Sequence, residues 1–233
     1  MKTAIMQPYI FPYIGYFQLI SAVDTFVFYD DVNYIKRGWI NRNQILVNNQ
    51  AHLFSIPLKS ASQNKLINEV ELGLDEKWLN NFYATLEQNY KKAPYYITTL
   101  DLIKKIFNLN HNTISDLAIT SITSISNHIG ISTVFELSSQ KYSETKGIEK
   151  ADRLIEITKL NKSNIYINPA GGKELYHKDY FNKKDVDLFF IDSNIVPYKQ
   201  FNNTFEPFLS IIDVLMFNSK NEIKKILTEF TLT

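Results

Sequence analysis

Short apolar runs separated by turn-forming residues set the rhythm of this chain. Lys2 to Met6 is a mostly apolar run that stops at Gln7-Pro8, the pattern of a strand running into a loop. Pro8, Pro12 and Gly15 then fix the backbone of the next stretch. Tyr16 to Ile20 has helical spacing, and Thr25 to Tyr29 is a β-branched and aromatic run ended by Asp30-Asp31. Strand, fixed loop, short helix and strand predict a βαβ unit with parallel strands. In open parallel sheets the ligand crevice lies beyond the carboxyl ends of the strands. Gln7 to Gly15 and Asp30-Asp31 would fall there.

Gln44 to Val47 and His52 to Pro57 predict a hairpin turning at Asn48-Asn49, with Lys59 and Ser60 at the same edge. From Asp75 to Asn112 the period becomes helical. Asp75 is placed to cap, and Trp78, Phe82, Leu86 and Tyr90 share one face. Pro94 ends or restarts that helix, and Leu100, Ile103 and Phe107 continue the stripe. Thr113 to His128 repeats the pattern, with Gly130 behind it. Strand and helix alternate again from Val134: strand 134–137, polar loop 141–147, helix 149–160, strand 164–167, a short helix through Tyr180-Phe181, and strand 187–191. The tail mixes Gln200, Asn202, Asn203 and Glu206 with Phe205 and Phe208. A closing helix follows, capped by Ser210 with Asp213 in a capping-box-like place. These runs predict one three-layer, Rossmann-like α/β domain over residues 1–233. It has five parallel strands with the first and fourth adjacent, and the hairpin and helices of about 42–130 are inserted between the second and third.

Composition changes this picture little. A chain of 233 residues with 45% hydrophobic content can bury a sizeable core. A net charge of +1 argues against a nucleic-acid protein, whose footprint is a basic field. Without cysteine there are no disulfides or thiolate metal sites, and the four histidines lack metal-ligand spacing. The amino-terminal run does not read as a signal peptide, and no apolar run is long enough to span a membrane. A cytoplasmic, soluble protein is expected, with a homo-oligomer left open.

The candidate chemistry sits beyond the strand ends. Residues 32–45 form a polar loop in which Lys36, Arg37 and Arg42 accompany Trp39 and Asn41. Arginine offers a planar fork for carboxylate or phosphate, and tryptophan a face for a sugar or base. Its alternative reading is a solvated connection into the hairpin. Asn168-Pro169-Ala170-Gly171-Gly172-Lys173 follows the fourth strand. There Gly171 and Gly172 would let backbone N–H groups approach an anion, with Lys173 adding charge. Lys146, in Thr145-Lys146-Gly147, is a second possible anion contact. Each of these is otherwise an ordinary turn.

The residues Met6-Gln7-Pro8-Tyr9, Tyr13-Ile14-Gly15-Tyr16-Phe17-Gln18, Asp30-Asp31 and Lys36-Arg37-Gly38-Trp39-Ile40-Asn41-Arg42 resemble the opening of the WbqC-like family. The likeness continues at Thr145-Lys146-Gly147, Asn168 to Lys173, and Phe205 to Asp213. Members of that family are found among bacterial surface-polysaccharide genes, O-antigen clusters in particular. A more distant likeness sets Tyr13-Ile14-Gly15-Tyr16 where nucleotidyltransferases and class I synthetases carry His-x-Gly-His, the nucleotide-binding half-barrel architecture. A phenol is neutral at pH 7, so phosphate contacts there would be lost or moved to Lys and Arg, and Tyr13 and Tyr16 otherwise simply pack.

Together these readings imply an enzyme that modifies a nucleotide-activated sugar or amino sugar, by acyl or aminoacyl transfer to a sugar amine. Asp30 or Asp31 would be the base and Lys36 would steady a developing oxyanion. Gln7, Pro8, Tyr9, Tyr13, Tyr16, Arg37, Trp39, Asn41, Arg42, Lys146, Asn168, Gly171, Gly172 and Lys173 would bind substrate. Two alternatives stand beside it: a divergent nucleotidyltransferase using ATP or another nucleotide with Mg²⁺, and a non-catalytic sugar-nucleotide-binding protein.

Overall fold

A computed structural model of the chain describes residues 1–201 and 204–233. Asn202 and Asn203 of the amide-rich tail therefore lie outside the described residues. The main sheet grows outward from β1 (Lys2–Met6). The chain leaves it through a loop at 7–13, turns through α1 (Ile14–Ser21) and returns as β2 (Thr25–Phe28), parallel to β1 with Thr3 beside Thr25 and Met6 beside Phe28. The expected βαβ unit is present.

β3 (Arg42–Val47) and β4 (Gln50–Ser55) then form the expected hairpin. Asn48 and Asn49 turn it with φ of 50° and 62°. Positive φ at both central residues is what a two-residue hairpin with the right twist requires, and asparagine tolerates it. β5 (Leu58–Lys59) and β6 (Glu71–Leu72) make a second small antiparallel pair that the hydrophobic pattern does not announce, two residues being too short for a period. α2 (Glu76–Tyr90), α3 (Tyr96–Phe107) and α4 (Ile114–Ile129) follow. Asp75 caps α2 by accepting from the Trp78 N–H, and Thr113 and Asp116 form a capping box on α4. Gly130 closes α4 at φ 87°, a left-handed position that a side chain would strain.

β7 (Val134–Leu137) rejoins the main sheet beside β2. A short helix, α5 (Ser138–Lys141), which the sequence pattern does not place, comes between β7 and the expected polar loop, before α6 (Lys150–Leu160). β8 (Ile165–Pro169) comes back to the other side of β1, with Lys2 beside Ile165, so the first and fourth strands are neighbours and parallel. α7 (Lys178–Asn182), β9 (Asp187–Ser193), α8 (Ile211–Phe217), α9 (Lys220–Ile226) and β10 (Phe230–Leu232) complete the chain. The sheet order is β10-β9-β8-β1-β2-β7. Five of these strands are parallel, as expected. The sixth, β10, is antiparallel to β9 and makes the sheet mixed. The run Phe230 to Leu232 is too short and too polar to read as a strand by alternation.

Helices cover both faces of the sheet. Ala4, Phe26, Phe28 and Ile167 point into the larger core, shared with α1, α4 and α8. Their neighbours Ile5, Val27 and Tyr166 point into a smaller core beneath α6 and α7. Both faces being buried explains why these strands read as continuous apolar runs.

Two buried polar clusters tie the elements together. At the carboxyl end of β2, Arg153 of α6 donates to Asp31 at 2.5 Å, with each side chain only 5% exposed. Farther off, Asp213 of α8 accepts from the hydroxyls of Tyr90 (2.8 Å) and Tyr198 (2.5 Å) and from the Gln200 amide (2.9 Å). Tyr90 also accepts from the Leu46 N–H, so this cluster joins hairpin, α2 and α8. Ser210 caps α8 as expected, but through Ile212, and Asp213 does not close a capping box. Its oxygens are taken by the three donors instead.

Removing Arg153 leaves a buried carboxylate without its partner. Arg153→Ala should cost about 3–5 kcal/mol in urea denaturation, whereas Lys184→Ala, which breaks the exposed and solvent-screened pair with Asp152, should cost far less. Equal small losses would show that the buried pair contributes nothing. Burial pushes the Asp213 carboxyl above its ordinary value, against the opposing pull of its three hydrogen bonds. A raised folded-state pKa contributes stability that is full below the unfolded value, about 3.9, and is lost as pH rises through the folded one. The stability of the wild type relative to Asp213→Asn should therefore fall as pH rises above the unfolded-state value, and a constant difference would contradict that shift.

Candidate functional site

The loop at 7–13 has no ladder of its own, and its backbone groups are satisfied from four distant places. The Asn43 amide of β3 donates to the carbonyls of Ile10 (3.1 Å) and Phe11 (2.8 Å). The Ser210 hydroxyl also donates to Phe11 (2.7 Å), and the Phe11 N–H donates to Ser121 of α4. Ile211 N–H reaches the Pro12 carbonyl, and the Tyr16 hydroxyl reaches the Gln7 carbonyl at 2.8 Å. Phe11 is held with φ of 40°, unusual for a bulky residue and affordable only under such a set of bonds. Pro8 is buried beneath the loop.

Held this way, the loop walls a crevice beyond the carboxyl ends of β1, β8 and β9. One cavity, of ≈ 460 Å³, is lined by Tyr13, Tyr16, Trp39, Asp192, Ser193 and Phe208. A second, of ≈ 380 Å³, is lined by Gln7, Tyr29, Asn168 and Tyr176. Met6, Tyr9, Pro169 and Gly171 belong to both, so Tyr9 stands between them. A third hollow of ≈ 330 Å³ opens outward past Tyr13, Trp39 and Asn43, again with Tyr9 on its wall. Trp39 is 45% exposed and Phe208 62%, both large apolar surfaces at the mouth. Phe208 also takes a positive φ of 58°. Desolvation raises the phenols of Tyr9, Tyr13, Tyr29 and Tyr176, so at neutral pH each is a neutral hydrogen-bonding group.

Two glycines are demanded by this packing and a third is not. A Cβ at Gly15 would lie 2.4 Å from the Tyr13 ring and 2.7 Å from Ser193 Oγ. A Cβ at Gly172 would lie 1.8 Å from Asn168 Nδ2. The Asn168 side chain accepts from Tyr166 at 3.1 Å, so its amide is fixed toward the cavity wall. At Gly171 a Cβ meets nothing within 4 Å. Its open side is the crevice.

Of the residues marked in the sequence, Gln7, Tyr9, Tyr13, Tyr16, Trp39, Asn168, Gly171 and Gly172 come together here. Tyr16 is buried with its hydroxyl committed to Gln7, so it packs more than it presents. Lys173 stands at the edge, paired with Asp192 at 2.8 Å. The acidic pair is elsewhere. Asp30 is 2% exposed and accepts from Ser138 Oγ (3.1 Å), Ser139 N (3.0 Å), Ser139 Oγ (2.6 Å) and Asn68 (3.3 Å). Asp31, 7% exposed, accepts from Ser138 (2.5 Å) and Arg153. Neither lines the cavities described above. Their cation is Arg153 of α6 rather than any of the loop cations.

Lys36, Arg37 and Lys146 are exposed and away from the crevice walls. Arg42 donates to the Gly38 carbonyl at 2.9 Å and lies 5.8 Å from the Trp39 ring, bracing that side chain. Asn41 is internal, accepting from Tyr34 and donating to the Ile56 carbonyl. Among the described residues, no group of three or more His, Asp or Glu side chains comes together as a metal site. Tyr29, Tyr176, Asp192, Ser193 and Phe208 line the crevice without a sequence signal of comparable strength. Asp192 and Ser193 follow an apolar strand, as Asp30-Asp31 do, and that position is the one cue that could have found them.

Comparison with known proteins agrees with this picture at the level of family. The model of the WbqC-like protein family matches residues 7–225, which takes in the crevice walls from Gln7 to Phe208. An uncharacterized protein of Mycobacterium tuberculosis is 30% identical over 221 residues, covering 93% of each chain. No solved structure matches the chain. The chain belongs to the WbqC-like protein family.

Proposed function

We propose that this protein is an enzyme of bacterial surface-polysaccharide assembly that acts on a nucleotide-activated sugar or amino sugar, by acyl or aminoacyl transfer to a sugar amine. The observation that carries the reading is the crevice at the junction of β1 and β8. In the doubly wound, Rossmann-like reading of the fold, this is the switch point where ligands bind. Aromatic walls with a few convergent polar groups are the usual make-up of a small-molecule site. Tyr9 and Trp39 supply flat faces for a sugar ring or base, and Gln7 and Asn168 supply primary amides for its hydroxyls. The likeness to surface-polysaccharide proteins selects the substrate class.

The divergent nucleotidyltransferase reading needs phosphate contacts that these residues supply poorly. Tyr16 is engaged with the backbone, and Lys173 is neutralised by Asp192. Among the described residues, no group of three or more metal-ligating side chains comes together at the crevice. Asp30 and Asp31 take a positioning role in this proposal. Their oxygens are filled by Ser138, Ser139 and Arg153, and the Arg153 guanidinium lies 4.8 Å from the ring of Tyr29, a crevice wall.

Calorimetric titration with UDP-glucosamine, UDP-N-acetylglucosamine and dTDP-glucose tests the site. Gly171→Leu should fill the crevice and abolish binding with the melting temperature unchanged, since its side chain enters open space. Tyr9→Ala should weaken binding about tenfold or more, some 1.4 kcal/mol. Parent-like binding in both variants would mean the crevice is not the substrate site. For the acidic pair, Asp30→Asn and Asp31→Asn should lower stability while turnover per folded molecule stays near that of the parent. A loss of about 10²–10⁴-fold at unchanged stability would instead make one of them the acid–base group.

A further inference from the structure

Asn168 is only 6% exposed, yet the protein uses just one end of its side-chain amide. Its Oδ1 accepts from the Tyr166 hydroxyl at 3.1 Å, while Nδ2 finds no acceptor among the described residues. There, the side-chain atoms both sealed and unpartnered are Gln18 Oε1, Tyr83 Oη and Ser126 Oγ. Nδ2 is not one of them, so it keeps an opening. Alternation along β8 sets Asn168 on the sheet face of Tyr166, which it shares with Ile5 and Val27. That face carries the ≈ 380 Å³ cavity, whose walls include Ile5, Leu154 and Tyr166. Nδ2 also lies against Gly172, another of its walls, where a Cβ would come within 1.8 Å. The opening is the crevice.

The direction of the amide is set from beneath. Tyr166 is buried, and Asn168 is the polar partner its hydroxyl reaches. Burial, with the phenols of Tyr176 and Tyr29 nearby, pushes that hydroxyl well above its ordinary value, so it keeps a proton that must be placed. Turned the other way, the amide would donate to the phenol oxygen and leave the phenol proton buried and unpaired. Asn168 therefore offers the crevice a donor. Tyr29 and Tyr176 line the same cavity and stay protonated, and no acceptor among the described residues takes up either proton. Every residue lining the cavity is uncharged, and Arg153 behind Tyr29 is already paired with Asp31. A site with spare donors and no charge suits a carbonyl oxygen, which accepts twice and brings neither proton nor charge. An ammonium would set donors against donors, and a carboxylate or phosphate would lack a counter-charge.

We infer that this cavity is a subsite for an uncharged carbonyl group that accepts from Asn168 Nδ2, and that Tyr166 is the positioning residue keeping that donor turned outward. The subsite rests on the crevice being the substrate site and specifies what is read there. A pyrimidine base and the N-acetyl group of a sugar both carry such a carbonyl.

Side-chain amide NMR of the ¹⁵N-labelled protein at pH 8 tests it, with uridine, N-acetylglucosamine and glucose as probes. The Asn168 N–H pair is assigned by its loss in Asn168→Asp. Uridine should shift that pair if the base supplies the carbonyl, N-acetylglucosamine if the acyl group does, and glucose should leave it in place. Asn168→Asp keeps the bond from Tyr166 but presents an ionised oxygen at that pH, so the probe that shifts the pair should bind about tenfold or more weakly. Tyr166→Phe should narrow the advantage of that probe over glucose, because the amide then turns either end outward. A pair that neither carbonyl probe shifts, a pair that glucose shifts equally, or an Asn168→Asp variant that binds like the parent would each overturn the subsite. An unchanged advantage in Tyr166→Phe would overturn its positioning role. If the subsite fails while UDP-sugar binding still responds to Gly171→Leu, the substrate site stands without it. If Gly171→Leu also has no effect, both fall together.

Discussion

The loop between β1 and α1 depends on bonds that come from elsewhere in the chain. Its carbonyls at Ile10 and Phe11 are buried, and an unpaired buried carbonyl costs about as much as a lost hydrogen bond. Asn43 and Ser210 donate to those carbonyls and Ser121 accepts from the Phe11 N–H, and each of the three comes from a different part of the chain. The hairpin, α4 and the start of α8 are therefore fastened to one irregular stretch, and that stretch is the wall carrying Tyr9 and Tyr13. Site and scaffold share the same bonds. A change that loosens the loop would be felt in the hairpin and in α8 before it was felt in the sheet.

The same logic explains the acidic pair at the end of β2. Two adjacent carboxylates at a strand end look like chemistry, yet here they hold α5 and α6 against the sheet. Ser138 donates to both residues, and Arg153 reaches Asp31 from the opposite side. Charge-assisted hydrogen bonds are strong fasteners. The catalytic appearance and the structural use draw on the same property, the demand of a buried carboxylate for donors.

Much of the fold was legible in the sequence because both faces of the sheet are buried. β1, β2, β7, β8 and β9 all read as apolar runs, and the Asp75 cap and the Asn48-Asn49 turn marked the inserted elements. The short pairs β5–β6 and β9–β10 were invisible, since two or three residues carry no period. Of the crevice walls, the glycine turn after β8 and the tyrosines after β1 were legible in the sequence because special backbone residues flag them. Asp192, Tyr29 and Tyr176 were not, because only the fold brings them beside Tyr9. The cations at 36, 37 and 146 are equally conspicuous in the sequence, yet they are exposed and line neither cavity.

The placement of β1 has a consequence for how the chain comes to be folded. β1 lies inside the sheet between β2 and β8, and Lys2 finds its second neighbour only at Ile165. β1 must therefore wait, one edge open, until the chain has been made as far as Ile165. Pairings so distant in sequence are slow to form, and an unpaired apolar strand is exposed to wrong partners in the meantime. The helical insertion, built from local contacts, can settle during that interval and shield one face. The crevice is among the last features to exist, since residues from 7 to 208 must all be in place before it has walls.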